Sequence, residues 1–187
     1  MELRGKTVVF LGSSVTYGSA ANGISFADLM ARQCKFRMVK EAVSGTTLAD
    51  VEEASYVARL KALDPGIKAD LFICQLSTND ASRGIAPEQV EAAIRWICGY
   101  VKKIWNCPVV FYTGTRYDSA AYGAMVQRLL ELREVLGIHV LDLWNDPQML
   151  AVEETEYMRY MADPIHPTRM GYEEWWTPRF VSFCQAL

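Results

Sequence analysis

Val8-Val9-Phe10-Leu11-Gly12-Ser13-Ser14-Val15-Thr16-Tyr17-Gly18 is an apolar run, rich in β-branched residues, that stops at a glycine and two serines. Entered from the polar Arg4-Gly5-Lys6, such a run reads as a strand covered on both faces, as in parallel sheets. Open α/β sheets bind their ligands at the C-terminal ends of such strands. Gly12 permits a sharp turn and a close backbone approach, so a serine after it sits exposed beside free N–H groups. The run alone does not choose between Ser13 and Ser14, nor between chemistry and an ordinary strand-to-loop turn, because short glycine-serine motifs recur by chance.

The pattern repeats along the chain. Ser25 and Asp28 form a helix-start signature, with Ile24 stapling onto Leu29 and a helix to about Gln33. Phe36 to Val43 alternates imperfectly and reads as a strand nearer an edge, ending at the small-residue turn Ser44-Gly45-Thr46-Thr47. Thr47 and Asp50 suggest a second capped helix, stopped near Asp64-Pro65-Gly66. Ala69 to Leu76 is an apolar strand that delivers Ser77-Thr78-Asn79-Asp80, and Pro87 opens a helix whose Val90, Ile94, Ile97, Val101 and Ile104 form a core-facing stripe. Pro108 to Gly114 is a fourth strand. Ser119 caps a helix with Met125, Leu129, Leu132 and Leu136 on one face and Gly137 at its end, and Ile138 to Leu143 is a fifth strand.

Five β-α repeats imply a parallel, helix-covered sheet in a single α/β domain spanning residues 1–187. From Trp144 to Ile165 no period persists, although Met149-Leu150 and Tyr157-Met158 suit short helical turns; a connection of that length is usually functional. The aromatic segment Tyr172, Trp175, Trp176, Phe180 and Phe183 reads as a terminal helix broken at Pro178, its tryptophans core residues.

With 51% hydrophobic and 22% charged residues the chain is globular, and 187 residues suffice for a substantial core. A net charge of -3 without any lysine/arginine cluster argues against nucleic-acid binding, which needs concentrated positive charge. No run reaches membrane-spanning length, and the N-terminus lacks the features of a signal peptide, so a cytoplasmic location is expected. Cys34, Cys74, Cys98, Cys107 and Cys184 are odd in number and form no C-x-x-C pair, which suits reduced thiols. No spacing of His, Cys and Glu suggests a metal site, and no cofactor is implied. His139, within the fifth strand, reads as a packing residue.

Three strand ends thus offer polar groups on one edge of the sheet: Gly12-Ser13-Ser14, Ser44-Gly45 and Ser77-Thr78-Asn79-Asp80. Asp163-Pro164-Ile165-His166 adds a carboxylate three residues from an imidazole. A carboxylate on Nδ1 fixes the ring's tautomer and leaves Nε2 to take a serine proton.

In these blocks the chain resembles the SGNH hydrolases, or GDSL-like lipases and acylhydrolases. Gly12-Ser13-Ser14 resembles the family's Gly-Asp-Ser, which implies that Ser14 is the nucleophile. Gly45 matches the oxyanion-hole glycine, and Ser77-Thr78-Asn79-Asp80 matches Gly-x-Asn-Asp, implying Asn79 as the side-chain oxyanion donor. Asp163 and His166 match Asp-x-x-His. The resemblance implies a flavodoxin-like three-layer α/β/α sandwich with a five-stranded parallel sheet in the order 2-1-3-4-5, and a triad of Ser14, Asp163 and His166. It implies an oxyanion hole from Ser14, Gly45 and Asn79. The expected activity is hydrolysis of short acyl, chiefly acetyl, esters on carbohydrate or small-molecule substrates. Alternatives are a lysophospholipase or thioesterase on the same triad, or a non-catalytic binding module. Two residues depart from the pattern: Ser13 stands in place of the usual aspartate, and Ser77, in place of glycine, adds a side chain near the acyl pocket. Asp80 is expected to be structural.

Overall fold

The computed structural model describes residues 1–187. Strands β1 (Thr7–Gly12), β2 (Arg37–Ala42), β3 (Leu71–Gln75), β4 (Val109–Tyr112) and β5 (His139–Leu141) form one parallel sheet in the order β2-β1-β3-β4-β5. This is the order implied by the resemblance. Side chains alternate across the sheet as the pleat requires. Val9, Leu11, Phe72, Cys74, Val109 and Phe111 join one core, with helices α3 (Tyr56–Ala62), α5 (Pro87–Ile104) and α6 (Ala120–Leu136). Val8, Phe10, Leu71, Ile73, Val110 and Tyr112 join the other, with α2 (Phe26–Cys34) and α9 (Thr177–Gln185). There Phe26 stacks on Phe180 at 3.8 Å between ring centroids. Trp176 is fully buried and Trp175 nearly so, as core residues.

Four details depart from expectation. The helix expected from Thr47 begins at Tyr56, where the Ser55 hydroxyl accepts the Ala58 N–H. The Thr47 N–H and hydroxyl both donate to Glu52 instead, and the Leu48 and Ala49 N–H groups go to Asp80, which holds residues 47–49 out of a helix. Ile104 lies at the frayed end of the α5 stripe and is exposed. His139 is exposed because β5 is an edge strand only three residues long. Pro178 sits in the first turn of α9 and breaks nothing. The irregularity lies before it, where Gly171–Trp176 is π-helical. Position 171 must be glycine there, since a Cβ would lie 2.0 Å from the Tyr160 carbonyl oxygen.

The region after β5 folds into the short helices α7 (Pro147–Leu150) and α8 (Glu154–Tyr160), and a bridge between Met161 and Pro167 carries the chain over the C-terminal edge of the sheet. All five cysteines are free. No helix is long and apolar enough to cross a membrane.

Candidate active site

The end of β1 is built around a close approach. A Cβ on Gly12 would fall 1.7 Å from the Thr16 hydroxyl oxygen and 2.8 Å from Gln75 Oε1, so only glycine fits. The chain then turns directly into the short helix α1 (Ser14–Tyr17), with Ser14 at its first position. The N–H of a first helical residue has no partner within the helix and is free for an incoming oxygen.

Ser14 is 8% exposed. Its Oγ lies 2.8 Å from His166 Nε2, and His166 Nδ1 lies 2.7 Å from Asp163 Oδ2. With the ring proton on Nδ1, that N–H donates to the carboxylate and Nε2 accepts the serine hydroxyl. Asp163 Oδ1 also accepts the backbone N–H groups of Ile165 and His166, both at 2.8 Å, which locks the four-residue turn. Burial raises the Asp163 pKa, but these N–H groups and the His166 ring outweigh it and hold the carboxyl below its usual range. Ser14, His166 and Asp163 therefore stand in one hydrogen-bonded line.

Asn79, on α4 (Thr78–Ser82), donates from Nδ2 to the Thr46 carbonyl at 2.9 Å. One of its two amide hydrogens is thereby fixed and the other is left to a ligand. Gly45 precedes Thr46, and the Gly45 carbonyl accepts from Arg83 Nη2. Arg83 also pairs with Glu52, so the Gly45 turn is braced from outside. Ser77 is fully buried; its hydroxyl accepts the Asn79 N–H and faces the Thr46 carbonyl at 3.4 Å. It serves as the cap of α4.

Asp80 is also fully buried, and its carboxylate accepts the Leu48 and Ala49 N–H groups at 2.7 and 2.9 Å. Burial pushes its pKa up against those bonds. Its place is structural, tying α4 to the segment after Gly45. No group of three or more His, Cys, Asp or Glu side chains could hold a metal ion.

Two groups around Ser14 carry no motif and went unread in the sequence. Gln75, at the end of β3, accepts the Ser13 N–H at 2.9 Å and the Thr16 hydroxyl at 2.9 Å. Arg59, on α3, donates to the Gly12 carbonyl at 2.8 Å. A glutamine inside an apolar strand run is the one signal that could have marked the first. Tyr56 lies between these elements. Its fully buried hydroxyl lies beside the Ser13 and Ser77 side chains.

Beside Asp163, Arg116, Tyr117, Asp118, Tyr157 and Met158 help line a cavity of about 370 Å³. Met161, Ala162 and Pro164 complete a lining that mixes charged, aromatic and aliphatic groups.

A sequence model of the GDSL-like Lipase/Acylhydrolase family matches residues 10–174. The chain belongs to this family. As a GDSL-like acylhydrolase it is a carboxylic ester hydrolase, and its solved relatives share the fold. A G-D-S-L family lipolytic protein from Desulfitobacterium hafniense is 14% identical, with a TM-score of 0.77 over 98% of this chain and 100% of that one. The acetylxylan esterase Axe2 from Geobacillus stearothermophilus is 15% identical, with a TM-score of 0.74 over 97% of this chain and 95% of that one. A family two carbohydrate esterase from Clostridium thermocellum, solved with cellohexaose, is 13% identical, with a TM-score of 0.73 over 100% of this chain and 65% of that one. No curated protein matches the sequence.

Proposed function

We propose that this GDSL-like acylhydrolase is a serine esterase that removes short acyl groups, chiefly acetyl, from carbohydrate or small-molecule alcohols. The observation that carries the proposal is the line from Ser14 Oγ through His166 to Asp163, at 2.8 and 2.7 Å. Ser14 Oγ attacks the ester carbonyl while His166 Nε2 takes its proton, and Asp163 holds the ring in that tautomer and stabilises the imidazolium. The Ser14 and Gly45 N–H groups and the Asn79 amide receive the oxyanion, and loss of one such donor costs about 3 kcal/mol of barrier lowering. The imidazolium then protonates the departing alcohol. Water, deprotonated by the same nitrogen, clears the acyl-enzyme.

The substrate class draws support from two sides. The cavity beside Asp163 sets Arg116, Asp118 and Glu154 among Tyr117, Tyr157, Met158 and Met161, so polar groups able to bind a hydroxyl-bearing alcohol stand within a largely apolar lining. Two of the structural relatives are named as an acetylxylan esterase and a carbohydrate esterase. The test is a panel of p-nitrophenyl esters from acetate to octanoate, together with acetylated sugars, on wild type and Ser14→Ala. Acetate esters turned over best, and nothing turned over by Ser14→Ala, is the expected result; a preference for octanoate overturns the short-acyl assignment. Fluorophosphonate labelling separates an enzyme from a binding module, since a folded sample that never labels at Ser14 has no activated serine.

A further inference from the structure

The peptide unit joining Gly12 to Ser13 immediately precedes Ser14, and side chains from two other elements hold both its polar ends. Its N–H donates to Gln75 Oε1 at 2.9 Å, and its carbonyl accepts from Arg59 Nη2 at 2.8 Å. Gln75 is itself fixed by the Thr16 hydroxyl, 2.9 Å from the same oxygen, and Thr16 lies 2.6 Å from the Tyr112 hydroxyl. The orientation of this peptide plane sets where the next residue's Oγ and N–H point, because the plane is rigid and only the dihedrals beyond it remain.

Arg59 extends the arrangement beyond Ser14. All five of its N–H donors have acceptors. Nε donates to the Ala54 carbonyl at 3.0 Å, and Nη1 to the Glu41 carbonyl at 2.9 Å and its carboxylate at 3.4 Å. Nη2 donates to the Gly12 carbonyl at 2.8 Å and the Thr46 hydroxyl at 3.1 Å. Thr46 follows Gly45, and its carbonyl accepts the Asn79 amide. One guanidinium thus links the nucleophile turn after β1, the Gly45 turn after β2 and, through Thr46, the Asn79 side chain. Its side chain is 10% exposed and lies over the Tyr56 ring at 5.1 Å, so its position is set by packing as well as by hydrogen bonds.

We propose that Arg59, with Gln75 as its counterpart on the opposite end of the Gly12–Ser13 peptide, is a positioning residue that sets the nucleophile and the three oxyanion donors in mutual register. Neither side chain touches substrate; both act through the backbone they hold. The turn that carries an aspartate in the family pattern carries Ser13 here, and its order comes from these two side chains. The inference rests on the assignment of Ser14 as nucleophile and of Ser14, Gly45 and Asn79 as oxyanion donors.

The test compares wild type with Arg59→Lys, Arg59→Ala and Gln75→Met, using p-nitrophenyl acetate and active-site titration with a fluorophosphonate, so that rates are expressed per folded, labelled site. A lysine cannot reproduce the planar fork. The expected result is a kcat per site lowered about 100-fold in Arg59→Ala and about 10-fold in Arg59→Lys and Gln75→Met, with KM within a few-fold of wild type, because displacements of about 1 Å at reacting atoms cost this much. Millimolar guanidinium, far below denaturing concentration, is expected to restore part of kcat in Arg59→Ala alone. A kcat per labelled site equal to wild type in Arg59→Lys and Gln75→Met overturns the proposal, as does a loss in Arg59→Lys fully accounted for by fewer labelled sites. Should Arg59→Ala not fold, those two variants still decide. A wild type that neither turns over the ester nor labels defeats the esterase assignment, an outcome distinct from a working wild type whose variants are unimpaired.

Discussion

Ser13 and Ser14 are neighbours of one chemical type with opposite surroundings. The Ser14 hydroxyl meets His166 Nε2, whereas Ser13 is fully buried and offers its N–H to Gln75, with its hydroxyl 3.4 Å from the same oxygen. Ser14→Ala is therefore expected to abolish acylation and fluorophosphonate labelling, while Ser13→Ala keeps turnover within about 10-fold, since the weak hydroxyl contact is worth about 1 kcal/mol. The reverse pattern in a steady-state assay would shift the nucleophile by one residue. Asp163 and His166 were legible as a candidate pair from their spacing, and Ser14 and Asn79 as candidates from the resemblance of their blocks to the family's pattern. Arg59 and Gln75 were not, because their partners lie 47 and 62 residues away and a lone arginine or glutamine carries no spacing.

At the scale of elements, legibility followed the range of the capping bonds. The start of α2 was readable because its signals are local: the Ser25 hydroxyl accepts the Ala27 N–H and Asp28 accepts the Ser25 N–H. Ser25→Ala is expected to cost about 1 kcal/mol in urea denaturation. The start of α3 was misplaced because the groups that oppose an earlier start include Asp80, 31 and 32 residues beyond the N–H groups it takes. Another long-range tie holds the region after β5. Asp146 accepts the Gln148 and Met149 N–H groups at the start of α7 and pairs with Arg179 on α9 at 2.6 Å, both side chains under a fifth exposed. Burial raises the Asp146 pKa, but Arg179 and the N–H groups outweigh it and leave it below the ordinary carboxylate value. A lowered folded pKa means stability that is present above the unfolded value of about 4 and lost as pH falls through the folded one. Asp146→Asn is expected to cost about 1–2 kcal/mol at pH 7, by loss of a charge-assisted bond. The gap from wild type is expected to narrow as pH falls below the ordinary carboxylate value of about 4, which melting curves across acid pH would record.

Across the whole molecule, β-α alternation gave a parallel sheet and the matched blocks gave its strand order, whereas the exposure of His139 depended on β5 being short and at an edge. The two cores hold Tyr56, Tyr112, Tyr122 and Tyr172, and burial pushes each phenol above its ordinary pKa. A raised folded pKa confers stability that is intact below the unfolded value of about 10 and lost as pH rises toward the folded one. Alkaline spectrophotometric titration is thus expected to leave these four of the nine tyrosines silent until the fold opens, while a urea-unfolded sample ionises all nine together. Nine ionisations near pH 10 in the folded protein would contradict the packing.

The buried Tyr56 hydroxyl joins two otherwise separate positions. It abuts Ser13 and Ser77, the two positions where the chain leaves the family's pattern. A phenol buried among serine hydroxyls depends on them for any polar partner, so a change at one of the three positions alters the surroundings of the other two. Positions 13, 56 and 77 are therefore expected to respond to substitution as a coupled set, with non-additive losses that double-mutant cycles in urea denaturation would record.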